Sequence, residues 1–341
     1  MTECDHSKTD NRNVWLFCAG LLAVAVTLFT VTGFHVALNT CIVLGSALFV
    51  GGLVTALLAQ TMPGWPPLLL INAHLQQMTI GLAIMLLEYA ASQSGRPLFD
   101  SVALRSDQAL GYDWKIYLGF LHSHPQLSAV LDVAYDSLGL QMSLVLVALW
   151  LWRGSASLHR VVIGNGVILL ITTAAFALWP VTTAWVHLHS SAAELHGLGL
   201  RAGGGWPDQL LLLRNGAGFD VNSGSNFAII GFPSYHTAAA ILMLVSTWPL
   251  RVLRPAAVAW TGLIVAATPY NGGHYLVDLI CAPPVVAVGV VVAGRCFPKS
   301  ADTVGAWPWF HALLLAETPR LFGQLANMAG SITFRSSVRR E

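Results

Sequence analysis

The chain has 341 residues, of which 55% are hydrophobic and 10% charged, and its mean hydropathy is +0.64. A soluble domain carries about 25% charged residues, so a soluble globular protein is excluded, as are a disordered chain, a coiled coil and a collagen. The 17 Lys and Arg nearly balance 16 Asp and Glu, and no basic stripe with interleaved aromatics offers a nucleic-acid footprint. Cys4, Cys18, Cys41, Cys281 and Cys296 are scattered without CxxC spacing, which predicts unpaired thiols.

Taken in chain order, residues 1–13 form a polar tail, and the first apolar run follows at once. That run reaches full-span length without a convincing small-residue cleavage site, so it reads as a first transmembrane helix rather than a cleaved signal. Runs able to cross a hydrocarbon core of about 30 Å lie near residues 14–35, 39–60, 68–91, 129–152, 161–182, 235–250, 256–272 and 275–295. Together they predict an all-α, polytopic membrane helix bundle of about eight transmembrane helices, one membrane domain over 14–295 with tails at 1–13 and 296–341. Pro and Gly clusters at 62–67, 203–207 and 268–273 punctuate it.

Orientation follows from the basic residues of the short loops, which stay on the cytoplasmic side. With eight crossings, Lys8, Arg12, Arg153, Arg160, Arg251, Arg254, Arg295, Lys299, Arg320, Arg335, Arg339 and Arg340 all fall on one side. Arg96, Arg105, Lys115, Arg201 and Arg214 fall on the other. Both termini are therefore expected to be cytoplasmic, with the long loops at 92–128 and 183–234 and the 268–274 turn outside. Residues 109–117 read either as an interfacial segment anchored by Tyr112, Trp114 and Tyr117 or as a solvated loop, and 307–328 as a surface helix.

Two segments carry the chemistry. Gly231-Phe232-Pro233-Ser234-Tyr235-His236-Thr237 and Gly272-Gly273-His274-Tyr275-Leu276-Val277-Asp278 each open an apolar helix at its outer end. Pro and Ser suit a first helical turn, whose free N–H groups and positive dipole end attract an anion such as a phosphate. His274 and Asp278 are four apart and share a helix face, where a carboxylate can hold an imidazole in one tautomer. Two histidines entering from one side can divide the roles of nucleophile and general acid. The plainer alternative is a pair of helix-end histidines and a satisfied buried aspartate, although ionisable groups inside spans are costly and usually functional.

In these residues the sequence resembles the type 2 phosphatidic acid phosphatase superfamily, whose second motif is Pro-Ser-Gly-His and whose third ends in His-x-x-x-Asp. Pro233, Ser234 and His236 match the former; His274 and Asp278 match the latter. The closer likeness is to the inositol phosphorylceramide synthase-like branch, through Phe232-Pro233-Ser234 and His274-Tyr275, with the core at about 129–295. Tyr235 replaces the motif glycine, Thr268 stands where better-known members have Arg, and the Lys-x6-Arg-Pro first motif is missing. The resemblance implies His274 as the nucleophile forming a phosphohistidine, Asp278 as its orienting group and His236 as proton donor to the leaving group. Arg214, the nearest obvious cation, and the backbone around Ser234 would hold the phosphoryl oxygens, with no metal and no other cofactor.

A cation-poor site fits a singly charged diester better than a dianionic monoester, which favours headgroup transfer between lipids and leaves hydrolysis of a lipid phosphate or polyprenyl diphosphate open. The expected partners are thus a lipid substrate, a lipid acceptor in the case of transfer, and the membrane. Tyr135, Asp136, Tyr235 and Gly273 are candidates to line the cavity, with Asp132 nearby; an interhelical hydrogen bond is the alternative for the acidic pair. His187, His189, Glu194 and His196, and the pair His122 and His124, lack a zinc-site order and read as loop residues. Glu88, Gln76 and Gln77 are ambiguous intramembrane polar groups. A transporter would instead show inverted repeats with mid-membrane helix breaks, and a serine protease a Gly-x-Ser-x-Gly elbow around Ser234.

Overall fold

A computed structural model describes residues 3–31, 38–61, 65, 67–188, 210–211, 213–215 and 229–298. The readings of His189, Glu194, His196 and the 307–328 segment lie outside these residues. The described part is all α-helical: α1 Glu3–Val31, α2 Leu38–Thr61, α3 Pro67–Ser92, α4 Asp100–Ala109, α5 Trp114–His122, α6 Pro125–Asp136 and α7 Leu138–Trp152. After these come α8 Ser155–Leu178, α9 Ala184–His187, α10 Tyr235–Thr247, α11 Arg254–Asn271, α12 Leu276–Ile280 and α13 Ala282–Cys296. Pro sits in the first turn of α6, α11 and α13, where its missing N–H costs nothing. Leu140, Leu144, Val288 and Val291 stay exposed on the outside of their helices, as they must where the surrounding solvent is hydrocarbon.

Five helical stretches are long and apolar enough to cross a membrane: Asp10–Val31, Pro67–Ser92, Ser155–Leu178, Arg251–Asn271 and Leu276–Cys296. A sixth appears if α6 and α7 are one span, and this count replaces the transmembrane helices, about eight, that were expected. Two of the differences have a visible source. The 129–152 run is bent by 56° between α6 and α7. At the bend the Ser137 hydroxyl donates to the Ala134 carbonyl at 2.8 Å and accepts from Gln141 at 2.6 Å and from Trp260 at 3.1 Å, a side-chain insertion of the kind that kinks helices. The apolar helix α10, with 13 residues, is short for a span.

The helices pack through close backbone approach. Gly289 of α13 lies so near α8 that a Cβ there would meet the Gly164 carbonyl at 2.9 Å and Ile168 at 2.8 Å, the small-residue contact typical of lipid-embedded helices. One apolar cluster joins Val14, Ala73, Leu149, Trp150, Leu158, Val161, Ala293 and Phe297, the starts of α1, α3 and α8 with the ends of α7 and α13. At the opposite end, Tyr89 of α3 meets Phe176 of α8 together with Leu213, Ile229 and Ile230. The second end also holds α4, α5 and α9, whose Ala103, Trp114, Leu118, Ala184 and Trp185 pack with Tyr270 and Tyr275.

Candidate active site

His274 and Asp278 flank the start of α12, and the local backbone explains their placement. Gly273 has φ of +62°, a left-handed conformation that a side chain disfavours, and it turns the chain from the end of α11 toward α12. The space there is also full: a Cβ on Gly273 would meet Thr183 at 2.8 Å and Trp185 at 3.0 Å, and the Gly273 carbonyl accepts from Ala184 N–H at 2.8 Å. Tyr275 is the N-cap of α12, and Asp278 reaches back so that its Oδ2 accepts from Tyr275 N–H at 2.9 Å. The same oxygen lies 3.1 Å from His274 Nδ1. A carboxylate only accepts, so Nδ1 carries the proton and Nε2 keeps its lone pair. Both residues are buried, which keeps this pair away from bulk water.

His236 enters from the neighbouring helix. Ser234 caps α10, its hydroxyl accepting from Thr237 N–H at 3.4 Å, so His236 falls in the first turn. The Phe232–Pro233 peptide before it is cis. Ser234 N–H donates to the Asp278 carbonyl at 3.1 Å, which ties the two motif segments together through backbone alone. Thus the structure joins Ser234, His274 and Asp278 by hydrogen bonds and brings His236 in on the adjoining turn.

Residues 103–292 match the PAP2 superfamily, which covers more than half of the chain, while no curated protein and no solved structure matches it. The chain belongs to the PAP2 superfamily. Membership in this superfamily supports catalytic potential and fits a membrane-embedded lipid phosphoesterase fold.

Other expected site residues of this PAP2-superfamily chain are placed less uniformly. Tyr135 stacks on His236, with ring centroids 4.0 Å apart and planes 10° apart. Tyr235 meets His236 edge-on at 6.3 Å, but its hydroxyl donates to Asn165 Oδ1 at 3.0 Å, and Asn165 in turn donates to Gln77 at 2.9 Å. Tyr235 therefore turns into the bundle between α8 and α3. Asp136 lies on an exposed face, and Gly273 serves the turn described above. Asp132 forms an interhelical bond, accepting from Asn271 Nδ2 at 2.6 Å. Arg214 donates through Nη2 to the Arg96 carbonyl at 2.6 Å, and its buried Nη1 has no partner among the described residues. That bond ties Arg214 to the loop after α3 rather than to the motif histidines.

Sequence reasoning missed the support beneath the site. Asp107, at the end of α4, accepts from Leu276 N–H at 2.7 Å and Val277 N–H at 2.9 Å, the free donors of the first turn of α12. Burial pushes its carboxyl up, against the pull of those two N–H groups. At the other end of α4, Asp100 accepts from Tyr275 Oη at 3.0 Å, Thr182 Oγ1 at 2.7 Å and Thr182 N–H at 3.0 Å. The available signal was two aspartates seven apart on one helix face, which without a partner in view reads as a solvated surface. The family match takes in Asp107.

Proposed function

We propose that this protein is an integral-membrane lipid phosphotransferase of the inositol phosphorylceramide synthase-like kind, moving a phosphate-containing headgroup through a phosphohistidine intermediate. The observation that carries the reading is the His274 Nδ1 to Asp278 Oδ2 contact of 3.1 Å, made by a carboxylate that also caps its own helix. Such a carboxylate fixes ring orientation and tautomer and stabilises positive charge on the ring as it develops, the role it plays beside histidine in acyl-transfer triads.

In the first half-reaction Nε2 of His274 attacks phosphorus, the bond from phosphorus to the leaving oxygen breaks, and protonated His236 gives its proton to that oxygen. In the second, the acceptor hydroxyl passes its proton to His236 and attacks phosphorus, the P–N bond breaks, and His274 is restored. Water in the acceptor's place makes the same chemistry a hydrolysis. Backbone N–H groups at the start of α10 lie where phosphoryl oxygens gather charge, and Arg214 contributes longer-range positive potential. The scarcity of cations beside the histidines supports a singly charged diester as donor.

The active end is assigned to the extracytoplasmic face, with α2 and the short α10 counted as crossings, both termini cytoplasmic and residues 14–295 acting as one membrane domain. Arg153, Arg251, Arg254 and Arg295 sit at the ends of α7, α10, α11 and α13 remote from His274, which supports this orientation.

The test is product analysis with purified protein given phosphatidic acid, polyprenyl diphosphate, or phosphatidylinositol with ceramide or diacylglycerol. A new phospholipid that disappears in His274→Ala is the expected result. Free phosphate lost in the same variant would make it a phosphatase, and activity that survives His274→Ala would overturn the histidine mechanism.

A further inference from the structure

The superfamily's first-motif cations are missing from this sequence, yet a phosphoryl group at His274 needs a donor for its non-bridging oxygens. Tyr135 borders both histidines. Its ring lies flat on His236 at 4.0 Å. Its hydroxyl and the Cδ2 edge of His274 crowd the same point, 2.8 and 2.6 Å from where a Cβ on Gly272 would sit. Cδ2 neighbours Nε2 in the imidazole ring, so the hydroxyl borders the same small space as the ring edge that holds the atom that would carry phosphorus. The register is held one turn away, where Asp132 accepts from Asn271, the residue before Gly272. Among the described residues no hydrogen bond engages the half-buried Tyr135 hydroxyl, which leaves it able to donate to a ligand.

We propose that Tyr135 is a catalytic residue whose hydroxyl donates a hydrogen bond to a non-bridging oxygen of the phosphoryl group at His274, taking the place of a basic residue. The inference rests on the phosphohistidine reading above. The tyrosine keeps its proton throughout: it holds the oxygen as charge builds on it, while His236 handles proton transfer. A neutral donor suits a singly charged phosphoryl group, because it stabilises the transition state without binding the ground state as tightly as an arginine fork would.

Orthovanadate, a phosphate mimic that is a monoanion near neutral pH and accepts five-coordinate geometry, probes the site without knowledge of the lipid. Calorimetric titration of the purified full-length protein should show vanadate binding in wild type, none in His274→Ala, and binding about 10- to 100-fold weaker in Tyr135→Phe, which keeps the stacked ring and removes only the donor. Equal binding by wild type and Tyr135→Phe, with loss in His274→Ala, overturns the tyrosine role and leaves the histidine reading standing. Wild-type binding by His274→Ala overturns the histidine reading itself, and absence of binding in wild type counts against both. The thermal unfolding midpoint of Tyr135→Phe shows whether its fold is retained. Should it fall, 3-fluorotyrosine at position 135 keeps the shape and strengthens the donor; tighter vanadate binding is then expected, and unchanged binding overturns the proposal.

Discussion

Asp278 and Gly272 illustrate two different demands on single residues. Asp278→Asn replaces an acceptor-only group with one that can turn a donor toward His274 and release its tautomer; kcat should fall by about 10³-fold while the unfolding midpoint shifts little. Gly272 is required for space rather than for backbone conformation, since its φ of −91° suits any residue. In Gly272→Ala the new Cβ would meet His274 at 2.6 Å, the Tyr135 hydroxyl at 2.8 Å and the Thr268 carbonyl at 3.0 Å. A carbonyl on a helix backbone cannot give way, so the two side chains must. Activity should drop by more than about 10²-fold, the scale set by a misplacement of about 1 Å, with expression near normal. Full activity in that variant would mean that the crowding at Gly272 does not matter to catalysis.

Among the elements, α4 and α5 act as outer braces for a site that α11 and α12 carry. The ends of α4 reach Tyr275 and Thr182 through Asp100 and the α12 N-terminus through Asp107. Asp107→Ala strands two backbone N–H groups, each at a cost of about 1–3 kcal/mol, so the unfolding midpoint in detergent should fall measurably. Asp107→Asn retains one acceptor oxygen and should fall less; equal stability of wild type and the alanine variant would show that the brace is idle. A second tether joins α5 to α11, where Trp114 Nε1 donates to the Pro269 carbonyl at 2.9 Å and Tyr117 Oη to the Ala266 carbonyl at 2.6 Å. Trp114→Phe should cost about 1 kcal/mol in thermal unfolding, because it removes a single buried hydrogen bond and retains most of the apolar contact.

For the molecule as a whole, the consequence of the proposed orientation is a sidedness that labelling can read. Gln108, exposed on α4, lies at the end that carries His274, and Val252, which is 71% exposed, lies between α10 and α11 at the other end. With the native thiols removed, Gln108→Cys should react with an impermeant maleimide from outside intact cells, and Val252→Cys only after the membrane is opened. The reverse pattern would place the site on the cytoplasmic face. Both side chains are exposed, so neither cysteine should disturb a packed interface.

Composition and hydropathy alone determined an all-α membrane bundle, because a chain with 10% charge can satisfy its backbone in lipid only by helices or a closed barrel, and these apolar runs are of helical length. The His274–Asp278 pairing was legible from the spacing, although not as a shared helix face: His274 stands before the N-cap Tyr275, outside α12, and Asp278 in the first turn reaches back to it, a contact still made within five consecutive residues. The number of full-length spans was not legible: hydropathy counts apolar residues along the chain and cannot register a bend, here at Ser137, whose hydroxyl is met by Trp260, 123 residues further on. Nor could local patterns reveal Asp107 under α12, at sequence separations of 169 and 170, or Tyr135 against His236. Those contacts exist only once helices distant in sequence pack side by side, so the tertiary structure decided them: spacing within one helix is set by its own geometry, whereas contact between helices is set by how their surfaces fit.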